Sequence, residues 1–244
     1  MKNTILIWNK QIMNRKVLFL FVIALFVIAG CEHGAFQDSP SEKVLRYGEN
    51  FEIIGSEKDH RIGQVNPALF TTSDRSNALA KEVQLPVVPQ EGKELKLPSG
   101  RYSITGSPTG NVFILDGNGE LLLREIVGSY AGVNTLTVDI DEAYTIRVDG
   151  GYDSVSILPV ATQLSTELTA GIWEVGLDIE AGSYKVTTPY GLGYLQILDK
   201  NNDSKVYELI GGTYSSTTSS LYLDEGQKLR ITELSSIQFQ PTED

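Results

Sequence analysis

A 244-residue chain with 20 basic and 31 acidic side chains, formal net charge −11, is too acidic to track a nucleic-acid backbone or to cling to anionic lipid headgroups. Its single cysteine excludes an internal disulfide and a cysteine-based zinc site. With two histidines, His33 and His60, and no G-x-S-x-G, H-E-x-x-H or P-loop pattern, we expect no catalytic residue, no metal and no cofactor.

Residues 1–16 carry Lys2, Lys10, Arg15 and Lys16 and no acid, and 17–30, "VLFLFVIALFVIAG", carry no charge. A basic start followed by a short apolar run is the layout of a secretion signal. At 1.5 Å per helical residue the run reaches about 21 Å, short of a hydrocarbon core of roughly 30 Å. It ends on Ile28, Ala29, Gly30 and Cys31, which resembles the lipobox of bacterial lipoproteins. That resemblance implies cleavage before Cys31 and a diacylglyceryl group on its sulfur. It also implies a chain anchored to the cell membrane on the extracytoplasmic face. Two acyl chains suffice for stable anchoring, at about 0.8 kcal/mol per buried methylene.

Residues 31–43 are polar and aperiodic, as a flexible tether is. Residues 44–91 form an N-terminal extension of uncertain structure. Within it "NFEIIG" reads as a short strand, "DRSNALAKEVQ" as a helix capped by Asp74 or Ser76, and "LPVVPQEG" as an extended connector.

The remainder repeats itself. "LPSGRYSI" (97–104) aligns with "IEAGSYKV" (179–186), placing Gly100 and Tyr102 over Gly182 and Tyr184. "ILD" recurs at 114–116 and 197–199, "REIVG" (124–128) lies over "YELIG" (207–211), and Asp141, Glu142 and Arg147 over Asp224, Glu225 and Arg230. Alternating β-branched and aromatic segments, punctuated by Gly, Asn and Asp, fill both copies, and no helical period is sustained over 92–241. The expected fold is all-β: two tandem small sandwich or barrel units, 92–160 and 165–241, each marginal alone and so packed on the other. The stretch "GIWEVGLDIEAGSYKV" (171–186) resembles a G-x-[WY]-x-V-G-x-D-I-x-x-G-x-Y segment of exported bacterial proteins. The rhythm of both copies is similar to jelly-roll modules of secreted enzymes, which bears on fold alone.

Three sets of side chains are candidates for chemistry. Loops "DGNGE" (116–120) and "DKNND" (199–203) offer Asp116, Asn118 and Glu120, and Asp199, Asn201 and Asp203, as hard oxygen ligands. They lack the twelfth-position glutamate of a calcium loop and read first as hairpin turns. Asp139 and Asp141 read as turn acids before they read as an acid–base pair. Tyr190 and Tyr194, in the glycine-flanked "PYGLGY", are the expected ligand-binding residues of an exposed loop, 188–194. The functional expectation is a non-enzymatic binding or envelope-associated module. Its partners are the membrane, through Cys31, and an envelope, glycan or protein ligand. A glycan-active enzyme using carboxylates is the alternative.

Overall fold

The computed structural model describes residues 41–71, 73–200 and 204–243; Cys31 and the signal-like run lie outside them. No helix among the described residues is long and apolar enough to cross a membrane.

The segment without a legible period takes its structure from what it packs on. It forms helix α1 (Glu42–Asn50), strand β1 (Glu52–Ile53), helix α2 (Ser56–Ile62), a 3-10 turn (Pro67–Phe70), and short strands β2 (Val83–Leu85) and β3 (Lys93–Leu95). α1 buries no residue of its own. It is held from outside: Asn50 Nδ2 donates to Ser220 O, and the Tyr47 hydroxyl donates to Glu208. Asn66 caps the 3-10 turn by accepting from Ala68 N, with Pro67 at the first position. The helix expected over 74–84 does not form. Asp74 accepts from Ser76 N in a tight turn, Asn77 sits at φ 58°, and Arg75 is drawn inward to two aspartates.

From β4 onward the described residues are all strand and connecting loop: β4 (Gly100–Ser107), β5 (Thr109–Leu115), β6 (Leu121–Gly128), β7 (Leu136–Ile140), β8 (Thr145–Asp149), β9 (Ser154–Pro159), β10 (Glu167–Glu174), β11 (Gly182–Thr187), β12 (Gly191–Leu198), β13 (Lys205–Gly211), β14 (Ser219–Leu223) and β15 (Lys228–Pro241). The fold is all-β, in two sheets. One is built on the order β1-β13-β12-β15-β10-β7-β4-β9-β2, with β11 and β14 joined to it through β15; the other is β3-β8-β5-β6.

Strand alternation sets the two cores. Tyr102 and Ile104, Val112 and Ile114, Ile146 and Val148, and Val155 and Ile157 point into the first. Tyr184 and Val186, Leu195 and Ile197, Leu229 and Ile231, and Ile237 and Phe239 point into the second. Each such side chain stabilises by roughly 1.5–3 kcal/mol when removed from water.

Registers in the two halves correspond. Gly100 pairs with Ile140 and Tyr102 with Pro159; Gly182 pairs with Leu223 and Tyr184 with Pro241. Phe113 pairs with Arg147, and Gln196 with Arg230. One alignment shifts. Phe113 pairs with Arg124 and Gln196 with Val206, so "REIVG" lies one residue away from "YELIG" in space. A bulge at Ile114/Leu115 in the first hairpin has no counterpart in the second and absorbs that residue.

The halves do not separate, for Glu42–Asp244 is one compact unit. β10 and β15 are single strands where the first half uses β2 plus β3 and β8 plus β9, and β10 pairs in parallel with β7 across the junction.

Candidate ligand cleft

A cleft of about 650 Å³ opens where α2, β6, β12 and β15 meet. That volume falls within the range of small-ligand sites. Its lining is mixed: charged and polar groups (Arg61, Gln64, Glu125, Gln196, Arg230 and Glu233) face an apolar side formed by β6, with Tyr194 in the wall.

Arg230 is the best-defined of these groups. Nε donates to Gln196 Oε1 at 2.7 Å and Nη2 to Ile62 O at 2.6 Å. Gln196 is itself held, its Nε2 donating to Arg61 O at 3.3 Å. Among the described residues no carboxylate lies within 4.0 Å of this guanidinium. Burial without a counter-charge pulls its pKa down to about 10. The first half's equivalent, Arg147, is likewise partly buried but pairs with Asp149. The last carbonyl of α2, Ile62 O, holds Arg230, whereas Arg147 donates to a carboxylate of its own strand.

Glu125 faces the cleft from β6. It is buried, and its carboxylate spans two elements: Oε1 accepts from Ile126 N at 2.9 Å and Oε2 from Glu233 N at 2.8 Å. Burial raises its pKa against the pull of those two N–H groups. Glu233 sits at φ 64° in a wide irregularity of β15, where pairing with β10 jumps from Ile231 to Ser236.

The two expected tyrosines part company. Tyr190 stands in the turn before β12 with 75% of its surface exposed. Tyr194 belongs to β12 rather than to a loop, and only 4% of its surface is exposed. The Arg61 guanidinium covers its ring at 4.0 Å, and its hydroxyl donates to Glu208 Oε1 at 3.2 Å. The expected loop 188–194 ends at Pro189–Tyr190, because Gly191–Tyr194 pair with β13. Tyr130 and Tyr214 are more exposed than Tyr190.

The remaining candidates are committed to structure. Asp116 Oδ1 accepts from Asn118 N and Glu120 N, and its Oδ2 accepts from Asn66 Nδ2. The Asn66 contact and the turn N–H groups hold its pKa low. Asn201 and Asp203 lie outside the described residues, and Asp199 accepts from Gln227. Among the described residues no group of three or more His, Cys, Asp or Glu is placed to hold a metal ion. Asp141 accepts from Ala143 N in a turn.

Asp139 enters an ion network buried at the junction of the halves. Arg101 Nη1 meets Asp139 Oδ1 at 2.8 Å, and Arg75 bridges Asp139 and Asp178. Arg101 Nη2 lies 3.2 Å from Asp178 Oδ1 but out of hydrogen-bond alignment. Lys228 and Glu174 close the cluster at 2.6 Å, and Trp173 stacks on Arg101 at 4.5 Å. Three cations meet three carboxylates, and each carboxylate faces a cation, so the cluster offers no free acid–base pair.

Sequence reading missed Arg61, Glu125 and Gln196, and saw Arg230 only as a repeat match. The available signal was a charged residue flanked by Leu229 and Ile231 within a strand. No protein-family model matches the chain, and no curated protein matches it either.

Proposed function

We propose that this protein is a lipid-anchored, non-enzymatic binding module of the cell envelope, a duplicated β-sandwich held to the membrane through Cys31, with its ligand in the cleft of Arg61, Tyr194, Gln196 and Arg230. One observation carries the reading: Arg230 is desolvated, fixed by two neutral acceptors and left without a counter-charge beside open space. A partly buried, uncompensated cation is costly, and such groups gather at functional sites. The two carboxylates that the sequence offered for glycan cleavage, Asp139 and Asp141, are tied into an ion network and a turn, which favours binding over catalysis at that place.

Two measurements test it. An alkyne fatty acid fed to cells should label the wild type and not Cys31→Ala; equal labelling removes the anchor. Solubilised envelope material should be retained by the immobilised wild type and lost with Arg230→Gln combined with Gln64→Ala. Equal retention removes the cleft.

A further inference from the structure

We propose that the ligand is an extended acidic peptide that adds as a strand to the free edge of β6 and delivers a carboxylate to Arg230. The inference rests on the cleft being the binding site and names what fills it.

The first ground is the strand edge. Six consecutive residues of β6, Leu121–Ile126, line the cleft. Side chains of a strand alternate between faces, so a space touched by six in a row runs along the edge. Among the described residues β6 is the terminal strand of its sheet, paired with β5 on one side and, at its far end alone, bridged to Val133 on the other. Which main-chain groups face outward follows from the far end. Val133 N donates to Ile126 O, Gly128 N donates to Val133 O, and Ile126 N is taken by Glu125 Oε1. Residues 126 and 128 therefore turn away from β5, and by alternation so does 124. The N–H and C=O of Arg124 point to the open side. Its side chain does not, being stacked on Phe113 with Nη2 donating to Asn111 Oδ1. An N–H and C=O offered side by side on a sheet edge are what a peptide main chain pairs with.

The second ground is charge. The chain carries a net −11, yet this cleft collects Arg61 and Arg230. Of its acids, Glu125 is turned inward onto two N–H groups; Glu233 is the one exposed carboxylate on the rim. With Nε and Nη2 of Arg230 occupied by Gln196 and Ile62, Nη1 remains for a ligand. A carboxylate there would gain a charge-assisted hydrogen bond and neutralise a desolvated cation.

The test uses the full-length ¹⁵N-labelled chain and three probes: an acetylated, amidated Val-Glu-Val-Glu-Val peptide, its Val-Gln-Val-Gln-Val counterpart, and glucuronate. The acidic peptide should bind saturably and slow hydrogen exchange at the Arg124 amide. It should bind at least about tenfold tighter than the neutral peptide, a difference of about 1.4 kcal/mol. Arg230→Gln should erase that preference. Arg124→Pro should abolish peptide binding, since the N–H it removes is not used by β5 and proline is tolerated on such an edge. This variant keeps the proposal testable if Arg230→Gln folds poorly. Equal affinity for the two peptides, or unchanged affinity in Arg124→Pro, overturns the proposal. Glucuronate binding without peptide binding overturns it too while leaving the cleft reading intact. No saturable binding by any of the three overturns the peptide proposal, while the cleft reading stands or falls on the retention of envelope material.

Discussion

At the scale of single residues, burial is tolerated where partners are supplied, and the partners define the testable consequences. Glu125 is a buried carboxyl with two N–H donors, and its pKa is raised. A folded-state pKa above the unfolded value means that the native protein binds more protons between the two. Stability from this group is therefore full below the unfolded pKa and is lost as pH rises through the folded one. Glu125→Gln imitates the protonated form. Chemical denaturation from pH 4 to 8 should show the wild type losing ground against Glu125→Gln as pH rises; a difference that stays flat contradicts the assignment. The corner tyrosines give a second case. Tyr102 donates to Pro98 O and Tyr184 to Glu180 O, each at 2.9 Å and each four residues back. Tyr102→Phe and Tyr184→Phe should each cost about 1 kcal/mol, the net worth of one hydrogen bond, read as similar drops in melting temperature.

At the scale of elements, strands were legible and helices were not. The strands of 92–241 announce themselves through alternation, as in "NVFIL" and "KLRIT", because each has one face on a core. α1 is amphipathic but short, and its apolar side chains Val44, Leu45 and Tyr47 stay exposed, so its pattern answers to no core. The stretch around Asp74–Ala80 looks helical by composition, but the ion pairs of Arg75 and the contact of Asn77 Oδ1 with Arg101 N override that preference. The cleft was illegible for the same reason: its wall is α2 laid over β12 and β15, a contact between residues 61 and 196 that no local pattern encodes. The segment "GIWEVGLDIEAGSYKV" becomes intelligible in space. Trp173 stacks on Arg101, Asp178 is buried among cations, and Tyr184 makes the corner bond. Trp173 and Asp178 build the junction, Tyr184 belongs to the second core, and none of the three lines the cleft. The irregularity of β15 makes its own forecast. Glu233 adopts a left-handed conformation that costs a side-chain-bearing residue roughly 1–2 kcal/mol. Glu233→Gly keeps the N–H that Glu125 accepts and should raise the melting temperature; a fall would show that the Glu233 side chain matters more than its backbone.

At the scale of the whole molecule, a polar device and one strand pairing reinforce the apolar packing of Ala170 and Ile172 in the first core. The polar device is specific rather than cheap. Arg101 and Asp178 are each 1% exposed, and removing one partner of such a pair leaves a buried charge, at a cost of about 3–5 kcal/mol. The strand pairing is tighter still. β10 meets β7 at Ala170 and Gly171, opposite Leu136 and Thr137. Gly171 has φ +141°, and a Cβ placed on it would lie 1.9 Å from Thr137 O, a backbone atom that cannot swing aside. Only glycine lets the two backbones approach this closely. Gly171→Ala must therefore move β10 off β7, and with it Trp173 and Asp178, which complete the ion network. The wild type should unfold in a single transition with coincident circular dichroism and tryptophan fluorescence. Gly171→Ala should lower the melting temperature sharply and separate the two signals, because Trp173 reports the junction while most strands lie elsewhere. If the variant melts as one transition near the wild-type temperature, the β7–β10 pairing is not what makes the two halves one cooperative unit.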